Sequence, residues 1–160
     1  MKKEVSNKRW LEAQEYEKKY WANLGRTSST FYLNKANKIK KDLKEFILLN
    51  DLSTILQIGC GPQDAIHNWG KGNLFAIDPL IDYFKQIGMI KESNVKNICC
   101  VGENLPFMDD YFDLIIVNNV LDHCQNPSDI LGQSYRCLKK DGIYIWKLMC
   151  SQYLLISFLN

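Results

Sequence analysis

The stretch from Thr54 to Pro79, TILQIGCGPQDAIHNWGKGNLFAIDP, constrains the fold of this chain more than any other. An apolar run, Ile55-Leu56-Gln57-Ile58, stops at Gly59-Cys60-Gly61. A second apolar run, Leu74-Phe75-Ala76-Ile77, stops at Asp78, and a segment of helix length with a Gly-Lys-Gly turn lies between the two. A strand ending in glycines, a crossover and a second strand ending in an acid form a βαβ unit of the nucleoside-binding kind. In such sheets ligands sit beyond the carboxyl ends of the strands, where the strand order reverses.

The remaining chain repeats this alternation. Short apolar runs predict strands at Thr54–Ile58, Leu74–Ile77, Asn97–Val101, Asp113–Asn118 and Ile143–Leu148. Helical segments are expected at Pro62–Trp69, Leu80–Lys91 and Pro127–Lys140, the last with Asn126 as N-cap, Pro127 at the first helical position and a turn at Asp141-Gly142. Strands that alternate with helices and are apolar throughout, such as Leu114-Ile115-Ile116-Val117, imply a sheet buried on both faces. The fold class is therefore α/β: a doubly wound, mainly parallel sheet of about five strands with helices on both faces.

Residues 1–50 form a helical extension ahead of a core at 51–160. Trp10, Leu11, Ala13, Tyr16, Tyr20 and Leu24 keep a helical stripe. That helix either packs on the domain or acts as a lid whose aromatics close over a ligand. Gly25–Thr30 reads as a loop. Phe31–Asn50 reads as a second helix, with Ile39, Leu43, Phe46 and Ile47 on one face and Lys35, Lys38, Lys40, Lys41 and Lys44 on a solvated one. The tail SQYLLISFLN is either a helix or one more strand. The core is expected to be incomplete at this end, leaving an apolar sheet edge through which the protein self-associates.

Composition narrows the function. At 160 residues the chain suits one domain, and 46% hydrophobic with 24% charged residues excludes a disordered chain. A net charge of +2 gives no argument for a nucleic-acid partner. No apolar run reaches the about 18 residues of a membrane span, and MKKEVSNKRW lacks the apolar stretch of a signal peptide. None of the six cysteines forms a CxxC pair, and His123 with Cys124 lacks zinc-site spacing, so no metal is expected and the compartment is read as the reducing cytoplasm.

The ligand class follows from what surrounds the glycine turn. Gly59 and Gly61 let a ligand approach the backbone, and Asp78, roughly twenty positions on, can accept hydrogen bonds from a ribose diol. A dinucleotide fingerprint needs a further glycine where Asp64 stands, and a carboxylate there repels a pyrophosphate. No lysine follows the turn in Walker pattern. A ribose site without phosphate machinery favours a nucleoside such as S-adenosylmethionine.

Four segments carry a more specific likeness: ILQIGCGP, LFAIDP, GENLPFMDDYFDLIIVNNVLDH and CLKKDGIYIW, in that order over about residues 52–148. The chain resembles a class I S-adenosylmethionine-dependent methyltransferase of the type 11 branch. The resemblance implies a Rossmann-like fold, S-adenosyl-L-methionine as cofactor and a small-molecule substrate. It implies that Gly59 and Gly61 line the methionine part, that Asp78 holds the ribose and that Pro79 lies beside the adenine. Gly102 and Glu103 would sit at the adenine edge, and Asn118 would offer its backbone carbonyl near the amino group. His123 falls where such enzymes place a residue close to the transferred methyl. The segment WLEAQEYEKKYW is similar to those ahead of some bacterial methyltransferases of surface-polysaccharide or lipid-linked sugar pathways.

The chain also departs from that pattern. Gln57 replaces the acid usual before the glycines, Gln63 stands in place of a third glycine, and Val101 replaces an acid before Gly102. The antiparallel hairpin that ends the family's sheet is expected to be absent. These departures support an alternative, a non-catalytic methyltransferase-like binding or scaffold protein. Methyl transfer to a hydroxyl needs a base, and histidine is the residue type suited to that near neutral pH. His123 is that candidate, against a helix-start histidine bonding a backbone group; Asp122 is the weaker one, against a surface-loop reading, and His67 reads as structural or exposed.

Overall fold

A strand whose five residues are all buried needs partners on both sides and cover on both faces, and Thr54–Ile58 (β1) has them. In the computed structural model, which describes residues 5–24, 29–147 and 154–157, β1 pairs in parallel with Asn73–Asp78 (β2) on one side and Phe112–Asn118 (β4) on the other. Lys96–Cys99 (β3) extends the sheet beyond β2, and Leu138–Lys147 (β5) extends it beyond β4, both in parallel. Leu154–Ser157 (β6) closes the far edge antiparallel to β5, giving the order β3-β2-β1-β4-β5-β6. Strand order reverses between β1 and β4, which places the ligand crevice at the ends of those two strands.

Side chains alternate across the sheet into two cores. Ile55, Leu74, Ala76, Leu114 and Ile116 meet Ala36, Ile39 and Leu43 of Ser29–Leu43 (α2) on one face. Leu56, Ile58, Ile77, Ile115 and Tyr144 meet Ile130 and Cys137 of Pro127–Cys137 (α4) on the other. Asn7–Leu24 (α1) and Ile81–Gln86 (α3) complete the helices.

The antiparallel β6 corrects the expectation that the hairpin is missing. Ile143 to Trp146 pair with Ser157 to Leu154, so the outer edge of β5 is covered. Residues 148–153 and 158–160, Leu148 and Cys150 among them, lie outside the described residues, as does most of the expected Gly25–Thr30 loop.

The helix boundaries also move. Pro62–Trp69 is not an α-helix; it holds one turn of 3-10 helix at Ala65–Asn68, capped by Asp64. α3 is shorter than Leu80–Lys91 because Gly88, at φ +69°, turns the chain: Gly88 N donates to Lys85 O and Met89 N to Phe84 O. α4 stops at Cys137 because Leu138 already pairs with Phe112, and Asp141-Gly142 becomes an irregularity within β5 rather than a turn before it. The third strand is Lys96–Cys99, not Asn97–Val101. α2 ends at Leu43, leaving Phe46 63% exposed.

The NLPFMDDYFDLI block is built for packing. Phe107, Tyr111 and Phe112 surround Phe75 with ring centroids 5.4–5.8 Å away. Arg136 of α4 donates to Phe107 O and Asp109 Oδ1 at 2.7 Å, and to Leu105 O at 3.0 Å. The guanidinium fork thus holds the loop between β3 and β4 against the sheet.

Candidate functional site

The turn after β1 is bound to β2 before any side chain contributes. Gly59 N and Cys60 N both donate to Ile77 O, at 2.8 and 3.1 Å. Gly59 and Gly61 lie at φ +65° and +56°, and a Cβ on Gly59 would stand 2.1 Å from Val120 Cγ2. Gly61 N donates to Asp78 Oδ2 at 3.0 Å, and Leu80 N to Asp78 Oδ1 at 2.9 Å. The turn and the acid predicted from the sequence are therefore joined directly. Burial raises the Asp78 carboxyl above the usual carboxylate range; the two backbone donors offset part of this, and the charge of Glu17 adds to it.

Beside this turn lies a polar network under the cavity. Gln57 is fully buried, with Nε2 donating to Asp64 Oδ2 at 2.7 Å and Oε1 accepting from Ile66 N at 3.0 Å. Asn118 Nδ2 donates to the same Asp64 oxygen at 3.3 Å. Ala65 N donates to Asp64 Oδ1 at 2.6 Å, and Lys35 Nζ lies 2.5 Å from that oxygen. Asp64 N donates in turn to His67 Nδ1 at 3.1 Å, completing a capping box. His67 Nε2 lies 2.8 Å from Asn97 Oδ1, so Nε2 carries the proton, and burial lowers the ring's pKa. Of the two readings of His67, structural or exposed, these contacts favour the structural one.

α1 forms the roof. None of its residues is fully buried, yet Trp10, Gln14, Glu17 and Trp21 line the cavity beneath it. The inward face therefore runs through these four; of the predicted stripe, Trp10 lies on it and Tyr16 and Tyr20 also reach the cavity, while Leu11 and Leu24 are exposed. Trp21 packs edge-on to Phe84 at 6.1 Å and lies over Gly61. Three hydrogen bonds tie α1 and the residues before it to the body: Tyr83 OH to Lys18 O, Gln125 Nε2 to Asn7 Oδ1, and Val5 N to Gln125 O.

The cavity between roof and sheet has a volume of about 560 Å³, within the range of small-molecule sites. The eight residues to which the resemblance assigns roles line it, while Asp122 does not. Gly59, Gly61, Asp78 and Pro79 lie on one side, Gly102 and Glu103 beyond β3, Asn118 at the end of β4 and His123 beyond it. Gly102 is also required by packing, since a Cβ there would lie 2.8 Å from Ile58 Cγ2. Glu103 Oε1 accepts from Gln125 N at 2.8 Å and Asn126 N at 3.3 Å, anchoring the loop before α4. His123 is half exposed, with Nε2 3.5 Å from Asp122 Oδ2 and Nδ1 3.9 Å from Glu17 Oε1. Its backbone N donates to Val120 O within a turn, and no α-helix begins there. Burial pushes the Cys100 thiol up to about 11 and that of Cys60 well above its usual value, which keeps both protonated at neutral pH.

A family model described as a methyltransferase domain matches residues 56–146, more than half of the chain. The chain belongs to this methyltransferase-domain family. Its fold is similar to that of a provisionally assigned S-adenosyl-L-methionine-dependent methyltransferase of Methanococcus maripaludis. The TM-score is 0.61 at 16% identity, over 91% of this chain and 66% of that one. It is also similar to an S-adenosylmethionine-dependent methyltransferase of Aquifex aeolicus, with a TM-score of 0.52 at 21% identity, over 71% of each chain. Over 63 residues it is 36% identical to an uncharacterized protein of Methanocaldococcus jannaschii, covering 39% of this chain and 31% of that protein. The chain thus spans under a third of this curated relative and about two-thirds of the Methanococcus chain.

Within this methyltransferase domain, sequence reasoning missed three site features. Lys35 belonged to a lysine-rich face, but its side chain turns inward and is only 18% exposed. Asp64 was weighed only as a group hostile to phosphate, although Asp-x-x-His resembles a capping box and marks Asp64 as a helix N-cap. Asn119, at φ +55°, carries a buried Oδ1 with no hydrogen-bond partner among the described residues; the Asn-Asn pair closing β4 is its only sequence trace. Among the described residues no three His, Cys, Asp or Glu side chains cluster as a metal site, and no helix is long and apolar enough to cross a membrane.

Proposed function

We propose that this domain binds S-adenosyl-L-methionine and transfers its methyl group to a small-molecule acceptor. One observation carries this: the Asp78 carboxylate is held at the end of β2 by the backbone of the glycine turn, and both line one cavity of nucleoside size. The residues present fit that cofactor. Gly59 and Gly61 leave the backbone bare, Asp78 keeps lone pairs free for a ribose diol, and Glu17, Asp64 and Glu103 suit a cationic sulfonium. When bound, S-adenosyl-L-methionine supplies an electrophilic methyl carbon for in-line displacement.

The chain's own contribution is placement and dryness. Pro79, Gly102 and Glu103 would border the adenine, and Asn118 would present its carbonyl to the amino group. Trp21 and α1 cover the turn and exclude water. At the mouth, His123 would take the acceptor's proton at an imidazole nitrogen, with Asp122 and Glu17 stabilising the imidazolium. A sugar or lipid-linked acceptor rests on the N-terminal likeness alone.

Titration calorimetry with S-adenosyl-L-methionine, followed by transfer assays on a panel of acceptors, tests this. Binding with transfer supports the enzyme. Absence of binding at about millimolar ligand overturns the cofactor assignment. Binding without transfer to any acceptor favours a non-catalytic scaffold.

A further inference from the structure

Lys35 is the one lysine or arginine among the described residues lining the cavity, and it faces Glu17, Asp64, Asp78 and Glu103. Its ammonium lies 2.5 Å from Asp64 Oδ1. Asp64 does not depend on it for support. Ala65 N, Gln57 Nε2 and Asn118 Nδ2 already donate to both carboxylate oxygens. The other lysines of α2 turn elsewhere: Lys38 pairs with Asp42 on the surface, Lys40 donates to Trp69 O, and Lys41 is exposed.

We propose that Lys35 and Asp64 together read the two charges of the ligand's amino-acid end, Asp64 taking its ammonium and Lys35 its carboxylate. This deepens the functional assignment above and rests on it. Gln57 is neutral where the resemblance expects an acid; Asp64, hydrogen-bonded to Gln57, supplies the missing negative charge from the crossover. An α-carboxylate entering a cavity lined by four acids is repelled unless a cation meets it, and Lys35 is the cation available. The four-carbon stem of lysine lets the ammonium swing from one carboxylate to the next. A zwitterion inserted between the pair exchanges one ion contact for two and leaves no charge buried alone.

The test compares S-adenosyl-L-methionine with 5′-methylthioadenosine, which keeps the nucleoside and lacks the amino acid. Calorimetry is run on the wild type, Lys35→Met, Lys35→Gln and Lys35→Arg, with circular dichroism melts to confirm folding. Lys35→Met and Lys35→Gln are expected to weaken S-adenosyl-L-methionine by about 10- to 100-fold. Their affinity for methylthioadenosine should stay within about twofold, and Lys35→Arg should retain most of the wild-type affinity for both ligands. Equal losses for the two ligands would make Lys35 merely structural and overturn the proposal. Tighter binding by Lys35→Met would make it a plug and overturn it as well. A wild type that binds neither ligand overturns the functional assignment and this inference with it. A wild type that binds both, with no ligand-selective loss in the variants, overturns this inference alone.

Discussion

Gln57 and Asp64 meet through a single 2.7 Å hydrogen bond, amide to carboxylate, in a site where neither reaches solvent freely. Gln57 also accepts from Ile66 N. Gln57→Glu keeps that second contact and sets two carboxylates at hydrogen-bonding distance. One of them must then hold a proton, and the variant loses stability as the pH rises through the raised carboxyl value. A loss of about 1–3 kcal/mol at neutral pH is expected, shrinking toward acid. Urea denaturation at several pH values checks this; a neutral-pH stability equal to wild type would show that the two groups do not face each other.

Gly59 is required twice, by its left-handed backbone and by Val120. Gly59→Ala is expected to cost about 2–5 kcal/mol, combining about 1–2 kcal/mol of backbone strain with a steric clash. Adding Val120→Ala should recover the steric part and leave the backbone part. Chemical denaturation of the single and double variants separates the two, and a Gly59→Ala protein as stable as wild type would disprove the turn's geometry.

This division explains what the sequence made legible. The parallel sheet was readable because each buried strand is a continuous apolar run, and the glycine turn because only glycine suits its φ. The NLPF block was recognised by likeness, yet its physical role, a loop held by Arg136, depends on a residue far along the chain. Lys35 was illegible for the same reason. Nothing local distinguishes it from Lys38, and only the packing of α2 against the crossover brings it to Asp64. Gln14 and Glu17 were missed on the inward face of α1 because they are polar residues facing a cavity, and hydrophobicity does not mark such positions.

Asp78 should couple binding to pH. Its carboxyl sits above the ordinary carboxylate range, so its contribution to stability is fully present below that range and is lost as the pH rises through the raised value. Binding runs the opposite way, because the ionised form is the better acceptor for a ribose diol. Affinity for S-adenosyl-L-methionine should fall as the pH drops through that same raised value. Asp78→Ala is expected to weaken binding by about 1–3 kcal/mol at neutral pH and to flatten this part of the dependence. Calorimetry between about pH 5 and 8 tests both; an unchanged dissociation constant in the variant would place the ribose elsewhere.

His67 makes the crossover acid-sensitive. Its Nδ1 accepts the Asp64 N–H, and burial lowers its pKa, so the folded protein takes up the proton less readily than the unfolded chain. Its stabilising contribution is present above about pH 6.5 and is lost as the pH falls through the depressed folded value. Gln is the usual partner at this position of a capping box and does not titrate. His67→Gln should therefore keep the cap at neutral pH and lose less stability than wild type on acidification. Thermal melts from about pH 7 to pH 5 compare the two. Parallel loss of stability in both proteins would assign the acid sensitivity to other groups and show that the His67 ring does not hold the Asp64 cap.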